Sequence, residues 1–453
     1  MNRTKILQLF ILVVLACIVQ VSARQNTGRL LEPISACPVY LTISSKGKSL
    51  EESPIIVNWG PSCKNPPKWI GLFDKDPSTN GDEARTYIVT NSTQKGVYET
   101  NVTVGQLTLP EGWNRNDFLS EPPKRVNGGQ CLSFFVASYD ETSLKSLDCL
   151  KIQPTWMSEI SHLKEVPLKN LFIPGTHCSG CYYKKSNGPN VLVEKFGLTQ
   201  NFDVWTQLVL GIRYLDISVG YNDDVDEPVK FWAVNENLFI TPISVIIGDI
   251  RRFISLANQI VIIDFNAFPI GFNRDRHLQF LKYLESEFKH IAYPNDHVSH
   301  SYDLTITDME SRGRLLIIYN QPDMEKETNI IWPSWKRFST KDLRTTEMKE
   351  YMRKVFSMKY NGSASDHIGW SFFGRQGVES SYISGSSLLT TRERAYRINH
   401  DLSVWLGGIW SLSANVVALD YFYSTNLIDM AIHINRHKAS QFTDLVFFDM
   451  DVK

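Results

Sequence analysis

The sequence predicts an α/β fold in which a TIM-like (β/α) barrel follows an N-terminal β-sandwich domain. Two patterns predict this order. From residue 156 onward, apolar runs with strand character alternate with stretches whose apolar residues recur at helical spacing. Residues 38–150 instead contain short segments rich in β-branched and aromatic residues, separated by Pro, Gly and Asn. Strands that are apolar on both faces and separated by helices indicate a parallel sheet or barrel.

The first 23 residues have the pattern of an export signal. Arg3 and Lys5 precede an apolar run at residues 6–19, and the small residues at 21–23 resemble a cleavage site. We therefore expect residues 1–23 to be a signal peptide and the mature protein to be secreted. No later stretch approaches the roughly 20 apolar residues of a membrane-spanning helix, so we expect no transmembrane segment.

Three parts follow the signal: a leader at residues 24–37, the sandwich domain at 38–150 and the barrel at 151–453. Around residues 57–74 the sequence resembles small sandwich modules of the SKICH type, to which we assign no chemistry. Candidate strands of the sandwich lie at 39–43, 55–59, 69–73, 97–104 and 131–139. Candidate strands of the barrel lie at 170–173, 212–219, 229–234, 260–265, 314–319 and 416–422, and candidate helices at 202–210, 243–256 and 274–289.

The composition limits the classes of partner. The chain has 47 basic and 48 acidic residues, and this balance gives no electrostatic case for nucleic acid or for anionic membranes. The oligomeric state is not predicted by any feature of the sequence.

Cysteines and glycosylation motifs fit an exported protein. Six cysteines follow the signal, and an even number in such a chain indicates disulfides. Four of them precede residue 150: Cys37, Cys63, Cys131 and Cys149. These four cysteines can be paired in three different ways. Sequons for N-glycosylation lie at Asn91, Asn101 and Asn361.

His177 is the first candidate for chemistry. It follows the predicted strand 170–173 and the run Pro174-Gly175-Thr176, just past the strand end where a barrel presents catalytic groups. A single histidine in a loop is usually solvated or structural, so other segments of the sequence are needed to assign a role to His177.

Five segments together resemble the X domain of phosphatidylinositol-specific phospholipase C, in matching order over most of residues 156–437. They are 170–180, 211–218, 231–239, 260–265 and 415–422. The resemblance implies a barrel that acts on phosphodiesters. In that chemistry a histidine base deprotonates the inositol 2-hydroxyl and a second histidine protonates the leaving oxygen. An arginine, or calcium held by carboxylates, offsets the phosphate charge.

The resemblance assigns roles to individual residues, and several depart from the family pattern. His177 matches the base and Asp216 the carboxylate of the second strand. Cys178 stands where the family has Asp or Asn, Ser218 where it has Arg or a carboxylate, and Asn235 where it has the second histidine. The catalytic candidates are therefore His177, Asp216, Asn235 and Glu236. Candidates for substrate contact are Arg213, Ser218, Cys178, Asp264 and Asp420, of which the two aspartates are as well explained by structural roles or by orienting His177.

We expect no metal or other cofactor. Glu236 would have to replace the missing acid and hold Ca²⁺ together with Asp216, but an exposed glutamate is ordinarily a solvated charge. A zinc site from His177, Cys178 and Cys181 lacks a fourth ligand. The pair Cys178 and Cys181 is better explained as a short structural disulfide than as a redox dithiol beside His177.

Three functions remain open. The favoured one is a protein with weak or no turnover that binds a phosphoinositide, another phosphodiester headgroup or a protein partner, because the acid and the positive centre are missing. General acid catalysis contributes roughly 10²–10⁴-fold, and a charge-stabilising donor roughly 10²–10³-fold. The alternatives are an active phosphodiesterase with His177 as general base, and a thiol oxidoreductase that uses Cys178 and Cys181.

Overall fold

The computed structural model describes residues 38–60, 66–80, 83–89, 96–115, 117, 129–182, 193–226, 230–296, 300–340, 345–358, 369–374, 389–408 and 410–450. Residues 1–37, where the sequence predicts the signal and leader, lie outside them. The chain divides into two compact units. One holds the described residues up to Tyr40, Asn58–Tyr98 and Val136–Asp148; the other holds Leu41–Val57, Glu99–Phe135 and the chain from Cys149 onward. The predicted boundary at residue 150 stays a prediction.

The N-terminal third of the chain is rich in strand, as the sequence predicts. Its described strands form two sheets, with the orders β1-β2-β5 and β4-β3-β6-β7. The packing of these sheets as a sandwich stays a prediction. The strands are β1 Val39–Ile43, β2 Pro54–Trp59, β3 Trp69–Phe73, β4 Thr86–Val89, β5 Val97–Thr103, β6 Gln130–Asp140 and β7 Ser143–Ile152, and a short helix, α1, spans Pro77–Asn80.

The remaining strands build a larger sheet. They are β8 Ile173–Thr176, β9 Tyr214–Tyr221, β10 Phe231–Asn235, β11 Leu238–Pro242, β12 Val261–Ile270, β13 Leu315–Tyr319, β14 Ile331–Trp332, β15 Lys336–Ser339, β16 Trp370–Gly374 and β17 Val416–Leu419. Eight of them pair in parallel in the order β14-β13-β12-β9-β8-β17-β16-β15.

Helices alternate with these strands along the chain, as the sequence predicts. The first long one begins where Asp203 caps it by accepting from the Thr206 amide. The next buries one apolar face that includes Ile246, Ile250 and Phe253. The helices are α2 Trp156–Glu159, α3 Val204–Leu210, α4 Ile243–Ala257, α5 Arg274–Phe288, α6 Ile306–Arg312, α7 Thr345–Met358, α8 Thr391–Leu406, α9 Trp410–Ser413 and α10 Leu427–Met450.

The core of the large sheet lies along its central strands. All five residues of β13 and the first five of β12 are buried. Burial on both faces is expected when helices cover one face of a parallel sheet and the sheet's own curvature encloses the other. None of the described helices is both long and apolar enough to span a bilayer.

One ion pair shows that the parallel sheet curls. Arg337 on β15 and Asp264 on β12 are five strands apart in the sheet order, which is about 24 Å in a flat sheet. Arg337 Nη1 nevertheless lies 2.5 Å from Asp264 Oδ2. The described strands therefore form a curled, barrel-like sheet with β14 and β15 at its two ends, which confirms the α/β class.

The predicted strand 229–234 is present as β10, but it does not join the parallel sheet. It pairs antiparallel with β9 and with β11. The turn between β10 and β11 contains only Glu236 and Asn237, which is too short for the crossover that a parallel neighbour requires.

Candidate active site

The register between β8 and β17 places His177 beside Asp420. Thr176, the last residue of β8, pairs with Leu419, the last residue of β17, so the next residue of each strand lies at the same edge of the sheet. His177 N–H donates to the Leu419 carbonyl at 3.2 Å. The side chains meet with His177 Nδ1 2.6 Å from Asp420 Oδ1, and both residues are buried.

This contact is the geometry of an oriented general base. A carboxylate that accepts the Nδ1 proton fixes the imidazole orientation and tautomer, and the basic position is then Nε2. That nitrogen lies 4.0 Å from Asp216 Oδ2, so the second-strand carboxylate stands next to the position where a proton would be taken.

Asp216 is held as a buried anion. It accepts from the Cys178 amide at 3.1 Å and from the side-chain amide of Asn266. Burial alone would raise the pKa of Asp216, but the charges of Arg337 and His177 outweigh burial and hold it below the ordinary range. An ionised Asp216 accepts hydrogen bonds and does not supply a proton.

Arg337 provides a positive charge that sequence reasoning missed. Its Nη2 lies 2.7 Å from Asp216 and its Nη1 2.5 Å from Asp264. The guanidinium also lies over the Phe373 ring, 4.1 Å from its centroid. Burial lowers the pKa of Arg337, but the two carboxylates raise it by more, so the group stays charged.

Asp264 differs from Asp216 although the two pair in register on neighbouring strands. Its Oδ2 accepts from the Tyr214 hydroxyl and from Arg337, while its buried Oδ1 has no hydrogen-bond partner among the described residues. Burial raises the pKa of Asp264 to about 6, despite the opposing charge of Arg337. Tyr214, like Arg337, was not among the sequence candidates.

The candidates on the second and third strands have other contacts. Ser218 Oγ lies 3.5 Å from Asn266 Oδ1, on the same face of β9 as Asp216. The Asn235 amide donates to the carbonyls of Phe196 and Gly197, so it holds a neighbouring segment. Glu236 is exposed in the turn after β10.

The structure does not bring Arg213 to this cluster. The residue is fully buried just before β9, and its guanidinium donates to the carbonyls of Leu208, Ile212 and Pro154. Burial lowers its pKa to about 9. These contacts join backbone segments at the amino end of the strand, the end opposite to the expected mouth.

Cys178 and Cys181 form a disulfide, which confirms the structural interpretation. Both residues are buried and pack against Leu198 and Ile240. Cys131 and Cys149 are joined as well, one of the pairings that the sequence left open, whereas Cys37 and Cys63 lie outside the described residues.

Comparison with known proteins shows to which proteins this chain is similar. PI-PLC X domain-containing protein 2 is 29% identical over 203 residues in both Mus musculus and Homo sapiens. This chain is related to the PI-PLC X domain-containing proteins. A Danio rerio relative, PI-PLC X domain-containing protein 1, is 28% identical over 188 residues. The predicted resemblance to this family is thereby confirmed.

The similarity to these PI-PLC X-domain relatives is partial. The three alignments cover 40%, 40% and 35% of this chain, and 57%, 64% and 60% of the respective relatives. No family model matches the chain. Among solved structures, the phosphatidylinositol-specific phospholipase C from Listeria monocytogenes gives a TM-score of 0.47 at 17% identity, over 62% of this chain and 98% of that one. A mutant of the Staphylococcus aureus enzyme gives 0.47 at 14% identity, over 62% and 96%.

Proposed function

We propose that this chain binds the headgroup of a phosphoinositide or a related phosphodiester at the cluster of His177, Asp216 and Arg337, and turns it over weakly or not at all. The observation that carries the proposal is the His177–Asp420 contact at the carboxyl edge of the parallel sheet. This contact supplies an oriented base at the position that the X-domain pattern requires. The similarity of the chain to PI-PLC X domain-containing proteins supports a phosphoinositide or related phosphodiester as the ligand.

We expect weak turnover because of the residue that stands where the family has its second histidine. Cleavage needs a proton donor for the leaving oxygen, and the residue at the expected position is Asn235, an amide that donates to backbone carbonyls. Asp216, whose carboxylate lies 4.0 Å from His177 Nε2, is ionised and cannot donate. A base without a matched acid loses roughly 10²–10⁴-fold in rate.

Calcium is not part of the proposal. A divalent cation would bind between Asp216 and Asp264, the two neighbouring carboxylates on β9 and β12, but the Arg337 guanidinium already lies there. A second positive charge at that position would be repelled by the first. We therefore expect binding and any residual turnover to be unaffected by calcium.

The second candidate function is an active phosphodiesterase with His177 as general base, and the same His177–Asp420 contact favours it. A thiol oxidoreductase is not carried forward, because Cys178 and Cys181 are joined and are 3% and 0% exposed. A redox disulfide must be reachable by its partner thiol. Export through the predicted signal at residues 1–23 remains part of the proposal.

The test combines a binding assay with a cleavage assay on the full chain. Vesicles of phosphatidylinositol in phosphatidylcholine report binding, and phosphatidylinositol micelles report release of inositol phosphate, with calcium or with a chelator. We expect binding to the vesicles that contain phosphatidylinositol, little release, and weaker binding by His177→Ala. His290→Ala, which changes an exposed histidine on the same domain, is the matched control.

Two results would contradict the proposal in different ways. Robust release that disappears in His177→Ala and persists in His290→Ala would establish the phosphodiesterase instead. Binding that does not distinguish phosphatidylinositol from phosphatidylcholine, together with no release, would reject both functions.

A further inference from the structure

Within the cluster of Arg337, Asp216 and Asp264, the cation is more exposed than the two carboxylates. The side chains of Asp216 and Asp264 are 2% and 1% exposed, whereas that of Arg337 is 26% exposed. Solvent therefore reaches the Arg337 side chain and scarcely reaches the two carboxylates. An approaching ligand meets the cation before it meets the carboxylates.

We propose that Arg337 contacts the anionic oxygens of the bound headgroup, in place of the arginine that one branch of the X-domain family has at the position of Ser218. This inference rests on the proposed function. The two positions lie on different strands, β15 and β9, so the positive centre has moved around the curled sheet. A guanidinium has five N–H donors in a planar fork that matches phosphate oxygens. Among the described residues, the carboxylates of Asp216 and Asp264 accept from it.

Arg337 and the base border the same side chains. Asp216 places one oxygen 4.0 Å from His177 Nε2 and the other 2.7 Å from Arg337 Nη2. The Phe373 ring meets the His177 ring edge-on at 6.2 Å and lies under Arg337. The Asp216 carboxylate and the Phe373 ring therefore each adjoin both His177 and Arg337. The base and the cation are thus close enough for a single headgroup to contact both.

Asp264 sets how much of the Arg337 charge a ligand experiences. Each carboxylate paired with the guanidinium offsets part of its field at the mouth. Replacing Asp264 with Asn keeps the shape and a hydrogen-bond acceptor for Tyr214 while it removes one negative charge. Arg337 should then attract an anion more strongly, by roughly three- to fivefold in affinity.

The experiment measures binding of glycerophosphoinositol, a soluble phosphodiester, and of uncharged myo-inositol by calorimetry on the full chain. For Arg337→Met we expect glycerophosphoinositol to bind roughly 10- to 100-fold more weakly, with little change for myo-inositol. Arg337→Lys should retain part of the affinity, because an ammonium keeps the charge without the fork. Ser218→Arg added to Arg337→Met should restore binding of the diester.

The outcomes separate this inference from the proposed function. If Arg337→Met binds glycerophosphoinositol like the wild type while His177→Ala binds it more weakly, the inference is overturned and the proposed function stands. If the wild type binds neither probe, the proposed function fails and the inference fails with it. Asp264→Asn keeps Arg337 in place, so an unchanged affinity of that variant contradicts the inference even if Arg337→Met does not fold.

Discussion

Asp216 and Asp264 occupy equivalent positions on neighbouring strands, yet their side chains ionise differently. Asp216 receives hydrogen bonds on both oxygens, from the Cys178 amide, Asn266 and Arg337. Asp264 receives its bonds on Oδ2 alone, and its Oδ1 is buried without a partner among the described residues. Donors to the charged form lower the pKa of a carboxyl, and burial without them raises it. The hydrogen-bond donors around each carboxyl therefore help to set the pH at which it ionises, which is lower for Asp216 than for Asp264.

Asp264→Asn should change how stability depends on pH. Burial raises the pKa of Asp264 from 3.8 in the unfolded chain to about 6 in the folded protein. Between these two pH values, folding is therefore accompanied by uptake of a proton. The stability that this carboxyl contributes is full below pH 4 and is lost as the pH rises through 6. The wild type should lose about 2 kcal/mol relative to Asp264→Asn between pH 4 and pH 7.5. Thermal midpoints of both proteins over this range measure it, and parallel curves would contradict the assignment.

At the scale of elements, the sequence predicts strands best where their residues are apolar and motif-bearing. The predicted segments overlap β9, β12, β13 and β17, with ends that differ by up to five residues, whereas the segment predicted at 170–173 shares only Ile173 with β8. β14 has two residues, and β15 reads Lys-Arg-Phe-Ser, so neither has a recognisable pattern. Arg337 lies on β15 outside every motif. It was missed because its role depends on the curl of the sheet, which brings β15 within reach of β12.

The site residues, like the strands, were predicted where a motif marks them and missed or misplaced where none does. His177 and Asp216 were found because a short motif surrounds each of them, and the structure brings them together with Asp420. The contacts of Asn235 depend on a neighbouring segment that the sequence did not place. Glu236 adopts φ of 51°, a left-handed conformation that is uncommon without glycine, so the tight hairpin after β10 had little turn signal.

Arg115 links an N-terminal segment to the helices of the barrel. Its guanidinium lies 3.2 Å from Asp203 and 2.6 Å from Asp249. Burial, followed by the charge of Asp203, raises the pKa of Asp249 to about 7 although Arg115 opposes this. The stability contributed by the Asp249 carboxyl is thus lost as the pH rises through 7, and Arg115 limits that loss.

Arg115→Ala should therefore cost more stability at high pH than at low pH. Above pH 7 the variant leaves a buried carboxylate without its cation, and we expect a loss of about 2 kcal/mol; at pH 5.5, where Asp249 is protonated, the loss should be smaller. Thermal midpoints at pH 5.5 and pH 8 measure the difference. In an Asp249→Asn background the pH dependence should disappear.

The matched control for this prediction is Arg252→Ala. Arg252 donates to backbone carbonyls of the same segment, those of Asn114, Arg115 and Asp117, and in the described part of the chain it pairs with no buried carboxylate. Its removal should cost stability by the same amount at both pH values. Equal losses from Arg115→Ala at pH 5.5 and pH 8 would contradict the role given to Asp249.

At the scale of the whole molecule, the order of the strands carries more information than any single segment. Five motifs in the order of the X domain predict a parallel, curled sheet, and that class of fold is what the described strands form. Neighbouring parallel strands present their carboxyl ends at one edge, which is why residues as far apart as His177 and Asp420 meet. The proposed export of the chain is inferred from a different part of the sequence, residues 1–23, and needs its own test.

If the chain is exported as proposed, Asn101 should carry a glycan. It begins the sequon Asn101-Val102-Thr103 on β5, the last strand in the order of its three-stranded sheet, and both Asn101 and Thr103 are exposed. A glycan is bulky and lies at the protein surface, so an exposed asparagine within a sequon is a suitable acceptor. The other sequons, at Asn91 and Asn361, lie outside the described residues.

Expression of the full chain in a secretory host tests the proposal with a matched pair of variants at Thr103. The secreted protein should lose mass on treatment with an N-glycosidase, and its N-terminus should begin after Ala23. Thr103→Ser keeps the sequon and should keep the glycosylated peptide, whereas Thr103→Ala removes the sequon and should lose that glycan alone. Because both substitutions change one exposed side chain on the same strand, a difference between them reports the sequon and not the fold. Retention of the uncleaved chain in the cells, with no glycan in either variant, would contradict export.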